Sequence, residues 1–245
     1  MRTGDKVSLL HTLTEKIACP LSISLTDSSH LIIDGQAMVQ AIGKPPKSKT
    51  FGDLADTVVT RVKKLSIGYK RVDIVFDQYW ALSVKSGTRE KRCKTLRPIR
   101  RCIECGSVPL PENLSNFLAL PENKADLAAF LSIQLSTATY GDIDVVVAGG
   151  FVEEDKALST AGYDVSTLAA THEEADTRII VHALHTNLKT VVVCERDTDL
   201  ILLLLHHYQR FQCDEVWVMA GTSAKRKFIT IHTVALSMED KVRKL

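Results

Sequence analysis

Runs of three to six mostly apolar residues recur along the chain, separated by stretches in which apolar residues return at helical spacing. Leu31-Ile32-Ile33, Val72 to Phe76, Ile143 to Ala148, Thr190 to Cys194 and Glu215 to Met219 are rich in Ile, Val and Leu. They are continuous rather than alternating. That pattern predicts strands buried on both faces, as in a parallel sheet. Asp53 to Leu65, Lys124 to Leu135, Glu173 to Leu184 and Leu200 to Tyr208 repeat apolar residues with the period of a helix. Strand and helix alternate, which predicts an α/β fold: three layers, with helices on both faces of a mainly parallel sheet.

Two segments interrupt the alternation. Residues 83 to 111 are polar, basic and end in prolines, and read as an insertion. Val152 to Thr167 is acidic and reads as a connecting loop. There is no internal repeat, and 1–245 is expected to form a single domain.

In an open α/β sheet the ligand lies beyond the carboxyl ends of the strands, so the residue that ends each strand is the informative one. The first strand ends at Asp34, followed by Gly35; the second ends at Asp77. The fourth runs into Glu195-Arg196-Asp197-Thr198-Asp199. The helix after the third opens with Thr171-His172-Glu173-Glu174-Ala175-Asp176. Each has a plain structural explanation. Asp-Gly is a common turn pair, Thr171 and Glu174 have the spacing of a capping box, and Asp197 can cap the next helix. Together they bring carboxylates to one edge of the sheet. Gathered carboxylates repel unless a cation compensates them. Hard oxygen donors suit Mg²⁺ or Mn²⁺, and such ions serve phosphodiester hydrolysis. Asp34, Asp77, Glu174, Asp176, Asp197 and Asp199 are the expected ligands and catalytic groups, with Glu173 in reserve.

The order of these motifs resembles the PIN-like and flap-endonuclease (XPG-type) nucleases. Ile32-Ile33-Asp34-Gly35 is similar to their first metal-binding strand, and Val75-Phe76-Asp77 to their V-F-D-G strand, with Gln78 in place of the glycine. Glu174-Ala175-Asp176 resembles their E-A-E helix start, with Asp176 in place of the second Glu. Glu195 to Asp199 resembles their S/T-x-D-x-D strand end. The fuller wording from His172 to Arg178 is closer to uncharacterised PIN-like proteins of invertebrate genomes, many of which look like parts of mobile elements. The resemblance spans roughly Leu31 to Thr222 and implies a PIN-like fold and a metal-dependent nuclease. The family's further acidic motif after the fifth strand is not met before Leu245, which leaves the second metal position open.

Charge adds a partner. The net charge is only +2, so the whole chain does not announce nucleic acid. From Lys85 to Arg101, however, Lys85, Arg89, Lys91, Arg92, Lys94, Arg97, Arg100 and Arg101 face a single acid, Glu90. The run lies where the resembling enzymes carry the arch that tracks a nucleic-acid strand. It would neutralise phosphates of DNA or RNA without reading sequence; it is also compatible with a solvated loop or a nuclear-localisation signal. Tyr79 and Trp80 could stack bases or pack at the rim. Cys102 and Cys105 have metal-ligand spacing, but a zinc site needs about four ligands, and Cys93 is the one further thiol nearby. The longest apolar run, Leu200 to Leu205, is far short of the roughly 20 residues of a membrane span. With no secretory leader pattern, an intracellular protein is expected. Two other readings stay open. One is a non-catalytic module of the same fold that binds nucleic acid or protein. The other is a Toprim-like phosphotransfer fold, which leaves Asp34 and Asp77 without a role.

Overall fold

The computed structural model describes residues 8, 11, 12, 14, 15, 17–78, 99–153, 155–194, 197–221 and 226–242. Seven strands form one sheet: β1 (Ser29–Asp34), β2 (Arg71–Val75), β3 (Asp144–Ala148), β4 (Ala157–Ser159), β5 (Thr190–Cys194), β6 (Glu215–Ala220) and β7 (Lys227–Thr230). Their spatial order is β4-β3-β2-β1-β5-β6-β7. The five central strands are parallel, and only the edge strands β4 and β7 run antiparallel. The fold is therefore α/β, a mainly parallel sheet between two helical layers, as the pattern of aliphatic runs leads one to expect.

Helices α1 (Gly35–Ile42), α2 (Phe51–Leu65), α3 (Leu114–Phe117) and α4 (Pro121–Thr137) belong to one side; α5 (Ala175–His185), α6 (Thr198–His207) and α7 (Ile231–Val242) belong to the other. Strand alternation divides the core accordingly. Leu31, Ile33, Val72 and Ile74 join Phe51, Leu54 and Val58 of α2 and Leu127 and Leu131 of α4. Ile32, Val75, Val191 and Val193 join Ile179 of α5, Leu200 and Leu204 of α6 and Ile231 of α7. Successive side chains of a strand point to opposite faces, so strands covered on both sides are predominantly apolar on both. That is why these runs do not alternate.

Several elements depart from the sequence reading. The residues after Asp34-Gly35 are a helix, α1, rather than a turn. The acidic connection 152–167 contains β4, which pairs with β3 at the sheet edge. Residues 227–242, to which the aliphatic pattern assigned no element, supply β7 and α7. Each missed piece is short or terminal, so its periodicity is weak and its structure depends on the sheet edge it joins. Among the described residues no helix is long and apolar enough to cross a membrane.

Candidate active site at the carboxyl edge of the sheet

The chain steps from β1 to β2, β3 and β4 on one side, then returns to the other side of β1 for β5, β6 and β7. The strand order thus reverses between β1 and β5, and the crevice beyond the carboxyl ends there is the place where such sheets bind ligands. Asp34 is the last residue of β1, level with Val75 of β2. Asp77 follows β2 by two residues, and Asp197 follows β5 by three. These three acids therefore leave three adjacent parallel strands at the same edge.

Phe76 fixes how closely the ends approach. Its buried ring lies so near the start of α1 that a Cβ on Gly35 would come within 2.6 Å of it. On the other side its carbonyl sits 2.4 Å from where a Cβ on Gly149 would be, and Gly149 has φ +70. The glycine of Asp34-Gly35 is thus required by the packing of Phe76, the residue before Asp77.

Each aspartate engages a helix start. The Asp34 side chain accepts the N–H of Ala37 at 2.7 Å and caps α1. Asp197 accepts the N–H of Asp199 at 3.0 Å and caps α6. The start of α5 differs from expectation. Its N-cap is Glu174, whose side chain makes no cap bond, so Thr171 and Glu174 form no capping box. Instead Asp77 accepts the N–H of Ala175 at 2.8 Å, and the N–H of Gln78 donates to the carbonyl of Glu173 at 2.8 Å. The end of β2 and the start of α5 are locked together by residues about a hundred positions apart, which local patterning does not reveal. Asp176 lies in the first turn of α5 and Asp199 in that of α6, both half-buried; Glu174 and Asp197 are exposed, and Glu173 is half-buried.

Arg178 completes the corner. It is buried, and its Nε donates to the carbonyl of His172 at 2.7 Å. Burial lowers its proton affinity below the usual arginine value, while Asp77 and Asp155 pull the other way. The sequence reading quoted Arg178 only as part of a motif. A signal was available: Ala175, Arg178, Ile179, His182 and Ala183 share the inward stripe of α5, so two polar side chains occupy core positions.

The donors are carboxylate oxygens, the chemistry Mg²⁺ and Mn²⁺ favour. Among the described residues no three His, Cys, Asp or Glu side chains converge tightly enough to hold an ion. A carboxylate offers about four lone-pair sites, so one backbone bond does not exhaust it.

Of the basic run, Lys85, Arg89, Lys91, Arg92, Lys94 and Arg97 lie outside the described residues, as do Tyr79, Trp80, Cys93, Glu195, Arg196 and Lys225. Arg100 and Arg101 are held against α4. Arg100 pairs with Asp126 at 2.8 Å and donates to Asn123 at 3.1 Å; the backbone N–H of Arg101 donates to Asn123 at 3.0 Å. Cys102 and Cys105 are exposed free thiols.

The fold and this edge define an α/β protein with acidic residues at the strand ends where the strand order reverses. No protein-family model matches the chain and no curated protein matches it, so the likeness to PIN-like nucleases rests on the motifs themselves.

Proposed function

We propose that the chain is a metal-dependent nuclease that hydrolyses phosphodiester bonds of DNA or RNA at the crevice between β1 and β5. The observation that carries this reading is the departure of Asp34, Asp77 and Asp197 from three adjacent parallel strands at one edge, with Glu174, Asp176 and Asp199 at the helix starts beside them. Asp34, Asp77, Asp197 and Asp199 are the residues assigned to hold Mg²⁺ or Mn²⁺, with Glu174 and Asp176 completing the set from α5. Divalent-ion chemistry supplies an activated water and stabilises the leaving oxygen. The protein's part is to fix the carboxylates: Phe76, packed between Gly35 and Gly149, sets the spacing of the strand ends, and the backbone bonds of Asp34, Asp77 and Asp197 set their orientation. The basic run ending at Arg101 is assigned to the phosphate backbone, which gives sequence-tolerant, salt-dependent affinity.

A second reading has an observation of its own. The same three aspartates satisfy helix-start amides, a role that needs no ion. On that reading the chain is a non-catalytic module of PIN-like type, derived from a mobile element, that binds nucleic acid or protein. One assay separates the two: labelled single-stranded, duplex and flap DNA and RNA incubated with Mn²⁺, beside an Asp197→Ala/Asp199→Ala variant. Cutting that the variant loses is expected. No cutting by the wild type, with binding that still weakens as salt rises, overturns the nuclease and leaves the module.

A further inference from the structure

Asp73 stands in the middle of β2 with no solvent exposure, and its carboxylate is surrounded by basic groups from three elements. Arg71, on the same strand, grips both oxygens at 2.7 Å. Nδ1 of His182, on α5, lies 2.6 Å from Oδ2. Nε2 of His30, on β1, lies 3.1 Å from Oδ1. His30 and His182 are themselves buried. Outside this group stand Asp144 of β3, which accepts from Tyr163 and from Ser159, and His185 of α5, 2.5 Å from the hydroxyl of Thr167.

The charge count is simple. Asp73 and Arg71 cancel, so the group is neutral only while both imidazoles are neutral. The far nitrogens decide the rest. Nδ1 of His30 and Nε2 of His182 are buried with no hydrogen-bond partner among the described residues, and Nε2 of His30 meets Asp73 at ion-pair distance without hydrogen-bond geometry. A second proton on either ring would therefore place a net positive charge in the core, with an N–H that meets no acceptor. Buried unpaired charges and donors are strongly destabilising. Burial accordingly lowers the proton affinity of His30; Asp73 opposes this, and Arg71 and His182 add to it. Burial pushes the Asp73 carboxyl up, but the neighbouring imidazoles hold it well below the usual carboxylate range.

We infer that the Arg71–Asp73–His30–His182 cluster is an acid-sensitive latch that holds α5 to the sheet at neutral pH and weakens that hold as pH falls. The latch has one moving partner. His30, Arg71 and Asp73 belong to adjacent, hydrogen-bonded central strands, whereas His182 reaches in from a helix packed on β1 and β2. Protonation is relieved most cheaply when α5 lifts and admits water. Because α5 carries Glu174, Asp176 and Arg178 at its other end, loosening it disturbs the carboxyl edge. The latch itself does not depend on what that edge does.

The sign follows from His30. Its affinity in the folded state is below the ordinary value near 6.5, so its contribution is fully present above that pH and is lost as pH falls through 6.5 towards the folded-state value. Between pH 6.5 and 5.5 one such ring raises the opening equilibrium by up to about fivefold.

Hydrogen exchange on the full chain tests this. After correction for intrinsic rates, the amides of α5 are expected to lose protection between pH 7.5 and 5.5 more than those of α4 on the opposite face, and His30→Gln/His182→Gln is expected to flatten that dependence. Equal loss in both helices, or an undiminished dependence in the double variant, overturns the latch. If the double variant does not fold, the His30 ring of the wild type followed by NMR decides. A ring still neutral below pH 6 upholds the latch, and one that titrates at 6.5 or above overturns it.

Discussion

Asp73 of β2 and Asp77, two residues past the end of that strand, have opposite environments. Asp73 is sealed in the sheet, with both oxygens held by Arg71 and flanked by two imidazoles. Asp77 is half-buried at the carboxyl edge and accepts a backbone N–H from the start of α5. Both tie the β2 segment to α5, one at the last turn of the helix and one at its beginning. The first does so with full charges out of water, the second with a neutral donor near the surface. Removing a partner from a buried charge cluster leaves uncompensated charge, whereas removing a cap costs one hydrogen bond to a helix-start amide. The same residue type within and just past one strand should therefore differ severalfold in its worth to stability, and in the opposite sense in its worth to function.

The sharpest break of that contrast is Asp73→Ala. It leaves Arg71 buried without its carboxylate and should destabilise the fold by about 3–5 kcal/mol, measured by chemical denaturation at pH 7.5. A loss below about 1 kcal/mol would mean that water reaches the cluster.

At the edge the large effect should be on chemistry rather than on folding. Asp197→Ala/Asp199→Ala is expected to cut Mn²⁺-dependent cleavage by at least about a hundredfold, since a shared ion site is lost, while the unfolding midpoint moves only by the loss of the α6 cap. A variant that keeps wild-type cleavage removes these two residues from the site.

Gly149→Ala probes the junction between the two regions. It places a methyl against the Phe76 carbonyl in a backbone conformation that L residues avoid, and should cost about 1–3 kcal/mol. Cleavage should fall with it, because Phe76 sets where Asp77 begins.

The smallest effect is expected for Asp77→Ala, about 1 kcal/mol for a lost helix cap, with Asp77→Asn closer to wild type because the amide oxygen can still accept the Ala175 N–H. If Asp77→Ala destabilises as much as Asp73→Ala, the contrast between edge and interior fails.

The layers and the edge follow from the order of residues along the chain. Uninterrupted aliphatic runs can be satisfied only by strands covered on both faces, and acids that end such runs must emerge at one side of a parallel sheet. Asp34, Asp77, Asp197 and the start of α5 were legible for that reason. What the tertiary structure decided was pairing across distance. That Asp77, and not a local capping box, completes the start of α5 depends on β2 and α5 meeting some hundred residues apart. That Asp73 is the centre of a charge cluster depends on β1, β2 and α5 converging. In the sequence Asp73 is one polar letter inside Val72-Asp73-Ile74-Val75-Phe76, and its partners His30 and His182 are single histidines elsewhere. Periodicity reports which face a residue occupies, whereas a buried carboxylate requires particular neighbours on that face, and only the folded chain supplies them.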